Sequence, residues 1–258
     1  MKSISHKAFS NLFGKYIGVN NAPFENSGYI YRNKTNRGIS RLAVTLDLCV
    51  NSVTKAIKAR ADALLCFHSP DSLDICQKDQ RLILRQIKNR LSVYKCHLPL
   101  NFSENGLHAK LCEISGLRGK PITFLYNGEL VHGGFYKVIG KYTLAQLLSR
   151  LKRLGGGYAR VYNERGSRHQ YRNILVSSGS GFKKEIMDQV PCEMIISGEI
   201  KHGMIVKARD MGLTLLELGH YVSENQPLSL VAEELEKYLG IKVLFIDVPL
   251  HERLYGFR

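Results

Sequence analysis

No two of the six cysteines in this 258-residue chain form a CxxC pair; they stand at positions 49, 66, 76, 96, 112 and 192. That spacing excludes zinc ribbons and thioredoxin-like redox motifs, which need close pairs. Most of these cysteines lie inside apolar runs such as "LDLCV" and "LLCFH", so they read as reduced, buried thiols. No uncharged apolar stretch approaches the roughly 20 residues that a membrane-spanning helix requires. The opening "MKSISHKAFSNLFGKYIGV" lacks the continuous apolar core of a secretory signal. The first 24 residues also lack any acid. The expectation is a cytoplasmic protein without a membrane role, with a basic targeting segment as the alternative.

Charge of one sign is scarce. The net charge is +15, and it is uneven. Residues 1–60 carry ten Lys/Arg against two acids, residues 140–172 eight against one, and residues 211–258 four against seven. Such basic blocks suit the phosphates of a nucleotide, a nucleic acid or a membrane surface, although they also serve as plain solvated surface.

The hydrophobic periods alternate between strand and helix. Strands are expected at 41–50, 63–67 and 92–98. Between them lie a helix from Ser52 to Ala61 capped by Asn51, a helix over 78–91, and a third ending at Gly116. The segment 121–140 alternates around Asn127-Gly128, a hairpin signal. A basic helix over 143–154 runs into Gly155-Gly156-Gly157, which reads as a hinge or linker. Strand and helix then alternate again to a last strand at "KVLFIDV", with the final helix over 229–240. The reading is a three-layer α/β/α chain of two lobes with similar topology and a β-rich centre. Residues 1–120 form the first lobe, and 121–258 the β-rich middle plus the second.

Ligands of α/β sheets gather beyond the C-terminal ends of strands. Three strands here end in ligand-type residues: "LLCFHSP" gives His68, "VYKCHLPLN" gives His97 and Asn101, and "LELGHYVSE" gives His220 and Glu224. A lone histidine at a strand end is more often a hydrogen-bonded structural residue. Ser223-x-x-Gln226 also reads as a helix capping box. Three similar strand ends facing one crevice favour a metal, since imidazoles with a carboxylate suit zinc, iron or manganese. A second candidate is "NILVSSGSGFKKEI", where Ser178, Gly179, Ser180 and Gly181 lead into a helix carrying Lys183 and Lys184. That loop could present amides to an anion, but it lacks P-loop spacing. "SGEIKH" adds Glu199 and His202, neither assigned as a ligand.

Four segments, "FENSGYIYR", "ADALLCFHSP", "VYKCHLPLN" and "EMIISGEIKHGMIVKARDMGLTLLELGHYVSE", together resemble the Nif-three-like proteins, the GTP cyclohydrolase 1 type 2 homologues. The likeness runs from about Phe24 to the C-terminus. It implies a two-metal centre between two lobes and a ring-shaped homohexamer. His68, His97, His220 and Glu224 keep the family's residue types. Phe67 stands where the pattern has a histidine, Ser69 loosens the triplet after the second strand, and Asn101 stands where the pattern has an aspartate. The resemblance thus implies one divalent transition metal per chain on His68, His220 and Glu224, or a chain that has given up metal altogether. His97 is then the candidate catalytic proton carrier. The functional expectation is a metal-dependent hydrolase acting on a nucleotide or other phosphate-bearing or heterocyclic substrate. The alternative is an oligomeric scaffold that binds nucleic acid or another polyanion.

Overall fold

The computed structural model describes residues 2–18, 25–33, 38–70, 73, 75–126, 128–181 and 184–250, with only the backbone of residues 184 and 185. The start of the family likeness at Phe24, the turn residue Asn127 and the side chains of Lys183 and Lys184 lie outside the described residues.

Strands dense in buried aliphatic residues build a first sheet. They are β1 (Gly28–Tyr31), β2 (Arg41–Asp47), β3 (Ala63–His68), β4 (Ser92–Lys95) and β11 (Lys242–Phe245), in the order β1-β4-β3-β2-β11. All pairs are parallel except β1 with β4. Every residue of β3 is buried, as a parallel strand covered on both faces demands. Period-two alternation divides its side chains. Leu65 and Phe67 join Leu42 and Val44 under α1 (His6–Ile17) and α9 (His220–Leu239). Leu64 and Cys66 pack with Ala43 under α2 (Val50–Lys58) and α3 (Gln77–Ile87).

The second sheet begins with a hairpin of β5 (Gly119–Tyr126) and β6 (Glu129–Val138). It continues through β8 (Ile174–Val176), β9 (Met194–Ser197) and β10 (Thr214–Glu217), which are mutually parallel. It ends at β7 (Arg160–Tyr162), antiparallel to β10. One face carries α5 (Leu107–Ile114) and α6 (Leu144–Leu151), and the other α7 (Lys184–Gln189) and α8 (His202–Asp210). A single turn, α4 (Leu98–Asn101), follows β4. The architecture is α/β with three layers around each sheet. Among the described residues, no helix is long and apolar enough to cross a membrane. All six cysteines are free, with Cys66, Cys96 and Cys112 buried and Cys76 exposed.

Several local expectations need correction. Helix α2 begins at Val50 with Cys49 as its N-cap. Asn51 lies inside it, and the Ser52 hydroxyl accepts the Cys49 amide at 2.9 Å. Gly155, at φ 75°, terminates a 3-10 turn over Lys152–Leu154. The chain then packs closely, because a Cβ on Gly156 would meet Val222 Cγ1 at 3.0 Å. The glycine run is therefore a helix stop pressed against α9. That last helix starts at His220, nine residues before the expected start at 229, and carries Pro227 within it. Ser223 is interior to α9, so no capping box forms; its hydroxyl donates to the His220 carbonyl at 2.8 Å. The last strand also returns to pair with β2 in the first sheet.

Candidate metal centre

Parallel pairing places Asp47, the last residue of β2, directly beside His68, the last residue of β3. His68 Nδ1 lies 2.8 Å from Asp47 Oδ1. His220 opens α9 immediately after Gly219, whose φ of 90° lets the chain turn from the strand end into the helix. Its Nδ1 lies 2.9 Å from Glu199 Oε2. One helical turn later, Glu224 presents Oε2 at 3.0 Å from His220 Nε2 and 3.4 Å from His68 Nε2. Candidate ligand atoms of the three side chains lie within 4.8 Å of one another.

The electrostatics of this triad are demanding. When each Nδ1 donates to its carboxylate, each Nε2 carries a lone pair, and both face one carboxylate oxygen. Acceptors then point at acceptors unless a cation or proton lies between them. Glu224 is only 2 % exposed, and its Oε2 meets the two imidazoles without a hydrogen bond of regular geometry. A buried carboxylate oxygen so poorly satisfied is costly. Without a metal, a proton relieves part of this cost. Burial lowers the basicity of His220, but hydrogen bonds and charges from Glu224 and Glu199 outweigh it and push its pKa up to about 9. A divalent ion would relieve it more fully. Histidine ligands commonly hold their second nitrogen against a carboxylate, as both do here. The donor set therefore fits a metal.

Two glycines clear the space. A Cβ on Gly179 would stand 2.1 Å from Glu224 Oε1, and one on Gly198 would stand 2.2 Å from Ser223 Oγ. The Gly179 amide donates to Ser223 Oγ at 2.9 Å. The start of α9 is thereby seated against the ends of β8 and β9. Ser178, Gly179, Ser180 and Gly181 do lie at the centre, yet most of their amides are used within the chain. Ser178 N–H donates to His108 Nδ1 at 2.8 Å, and Gly181 N–H to the Ser178 carbonyl.

His97 stands outside the triad, with its ring centroid 5.3 Å from that of His68. Its Nδ1 lies 3.1 Å from Glu25 Oε2, and Lys95 Nζ lies 3.3 Å from Glu25 Oε1. Burial raises the Glu25 pKa, but the hydrogen bonds and charges of His97 and Lys95 leave it below the ordinary value. Phe67, 1 % exposed, contacts the rings of both His68 and His97 at 4.9 and 4.8 Å. Asn101 is buried, and its Oδ1 accepts the Ser178 hydroxyl at 2.9 Å. Neither joins the triad. His202 opens α8 and is exposed.

A cavity of about 300 Å³ adjoins the triad, lined by His97, Asn101, Ser178, His220 and Glu224 together with several aromatic rings. Sequence reasoning missed three supporting groups, Asp47, Glu25 and His108, and named Glu199 without assigning it as a ligand. Asp47 had a readable signal, since it ends β2 as His68 ends β3. Glu199 occupies the corresponding position beyond β9. His108 is fully buried within α5, and no spacing marks it.

The comparisons with known proteins concern the whole chain. The model of the Duf34/NIF3 (NGG1p interacting factor 3) family matches residues 8–250. The chain is 28 % identical over 218 residues to the GTP cyclohydrolase 1 type 2 homolog of Pyrococcus horikoshii, covering 82 % of this chain and 85 % of the relative. It is 25 % identical over 242 residues to the Pyrococcus abyssi protein of that name, covering 91 % and 94 %. Among solved structures, reduced HcgD from Methanocaldococcus jannaschii superposes with a TM-score of 0.78 at 22 % identity, covering 96 % of this chain and all of that one. A Bacillus cereus protein related to NIF3 gives 0.76 at 14 %, covering 99 % and 100 %. With nearly its whole length matched by one family model, this chain belongs to the Duf34/NIF3 family.

Proposed function

We propose that this protein is a metal-dependent hydrolase holding one divalent transition ion, zinc, iron or manganese, on His68, His220 and Glu224. The observation that carries the reading is the buried Oε2 of Glu224 facing two imidazole nitrogens, with no regular hydrogen bond. Two neutral nitrogens and one carboxylate suit these borderline ions. When bound, such an ion supplies Lewis-acid polarisation of an oxygen on the ligand or on water.

The chain's own groups do the rest. Asp47 and Glu199 fix the tautomers and ring orientations of the two histidines. Glu25 does the same for His97, leaving His97 Nε2 to give or take a proton at the cavity wall. The aromatic wall excludes water from the reacting group. The name carried by the Pyrococcus relatives, GTP cyclohydrolase 1 type 2 homolog, is in keeping with hydrolysis of a heterocycle. Metal analysis of protein purified without chelator tests the reading. One equivalent per chain is expected, falling to none in Glu224→Ala. Two equivalents per chain would show that Phe67 and Asn101 do not block a second ion. A Glu224→Ala variant with unchanged metal content would overturn the ligand assignment.

A further inference from the structure

Aromatic rings predominate among the apolar residues lining the cavity beside the triad, which also include Leu98 and Val131. Phe102, Phe124, Tyr126 and Phe135 line it, with Asn101 and Ser178 as neutral polar groups. Phe124 and Phe135 meet edge to face at 5.7 Å. Gly134 keeps the wall open, since a Cβ there would stand 2.9 Å from Phe124 Cε1 and 3.4 Å from Phe102 Cζ. Rings of this kind gain most against another flat, polarisable surface.

Among the described residues, charge is distributed against an anion. No Lys or Arg is among the described residues lining the cavity, although the chain carries +15 overall. Glu224 lines it, while Asp47, Glu199 and Glu25 stand behind His68, His220 and His97. Lys95, a nearby cation among the described residues, is held by Glu25. A single divalent ion would already be offset by these carboxylates. Among the described residues of the loop, the amides of Ser178, Gly179 and Gly181 are engaged within the chain and so are not turned to a phosphate. A phosphate chain entering here would be desolvated without countercharge, which is costly.

We infer that the cavity takes an uncharged planar nitrogen heterocycle, a nucleobase or its nucleoside, and rejects the same base carrying a triphosphate. The inference builds on the hydrolase reading by naming its substrate class. Asn101 selects the ring. Its Oδ1 is held by the Ser178 hydroxyl, which leaves the amide nitrogen to donate to a ring carbonyl or ring nitrogen. A volume near 300 Å³ lies at the small end of the usual range for ligand pockets, as befits a base with at most a sugar.

The test is calorimetric titration of the zinc-loaded full-length protein with guanosine, inosine, adenosine and cytidine and with their triphosphates. Zinc content is measured in the same samples. At least one nucleoside should bind, about tenfold or more tighter than its triphosphate. Triphosphate binding as tight as the nucleoside's, or no nucleoside binding at all, would overturn the inference. Ser180 is exposed on the cavity rim, so Ser180→Arg should leave the fold intact. It should raise triphosphate affinity about tenfold and spare the nucleoside; an unmoved ratio would refute charge as the discriminator. Nucleoside binding by protein that retains no zinc would sink the metal reading and leave this one standing. Zinc binding without nucleoside binding would do the reverse.

Discussion

Replacing Gly179 by alanine should damage the candidate site without touching any proposed ligand. The new Cβ would sit 2.1 Å from Glu224 Oε1, where ordinary contact begins near 3.4 Å. Either the carboxylate or the loop must retreat by about 1 Å. Gly179 also holds φ at +56°, a left-handed conformation that costs a non-glycine residue about 1–2 kcal/mol. In a chain of this size each kcal/mol moves the melting temperature by about 2–4 °C. Chelator-treated Gly179→Ala should therefore melt roughly 2–8 °C below the parent. Zinc at about 100 times its Kd adds about 2.7 kcal/mol of stability to a protein that binds it only when folded, a rise of about 5–10 °C in the parent. The variant should lose most of that rise, because Glu224 can no longer approach both imidazoles. Thermal denaturation with and without zinc reads both effects. Gly157→Ala is the control, since a Cβ there meets nothing within 4 Å. A folded Gly179→Ala protein with the parent's full zinc-dependent rise would refute the placement of Glu224 in the metal set.

Other substitutions probe the surroundings. Asp47→Asn should weaken zinc binding by about 10–100-fold, the usual effect of losing a carboxylate behind a histidine ligand, as read by competition with a chromophoric chelator; unchanged affinity would remove Asp47 from its orienting role. Phe67→His combined with Asn101→Asp should add a second metal equivalent, whereas neither change alone should; a folded double variant with one equivalent would mean that the crevice has been rebuilt around Phe67. Burial lowers the pKa of His108 to about 3 from an ordinary 6.5. The unfolded chain therefore takes up a proton that the folded chain refuses, and stability present above pH 6.5 drains away as pH falls toward 3. His108→Gln should flatten that acid limb in denaturant titrations, and a slope equal to the parent's would show that His108 does not govern it.

Much of the site was legible because strand ends announce themselves. An apolar run that stops at a histidine marks both the end of β3 and the start of α9, and the i, i+4 spacing of His220 and Glu224 brings them to one helical face. The partners behind the histidines were harder to read. Asp47 and His68 are 21 residues apart, and only the register of two parallel strands brings them together. The start of α9 was misjudged for a specific reason. Pro227 removes one helical N–H, so the sequence favours a helix beginning beyond it. In the structure the helix runs through, with the preceding turn tied down by Ser223, which takes the Gly179 amide and bonds the His220 carbonyl. Helix α1 was missed although Phe9, Phe13 and Tyr16 recur at helical spacing behind a Ser5 cap; its basic charge drew the reading toward targeting instead. The pairing of β11 with β2 carries no local signal, because periodicity specifies a strand and not its neighbour.

Helix α9 spans 20 residues, about 30 Å of rigid rod. Its first turn holds His220 and Glu224 against the strand ends of the second sheet, while Leu228, Val231, Leu235 and Leu239 are sunk in the core of the first. Lys110 of α5 grips the same rod through Glu234, to which Tyr16 of α1 also bonds. An ion on His68 and Glu224 would thus join a strand of the first sheet to the one turn of α9 that meets the second. The candidate centre is in effect a rivet through both halves of the molecule. Filling it should slow amide exchange at the far end of α9, well away from any atom that the ligand touches.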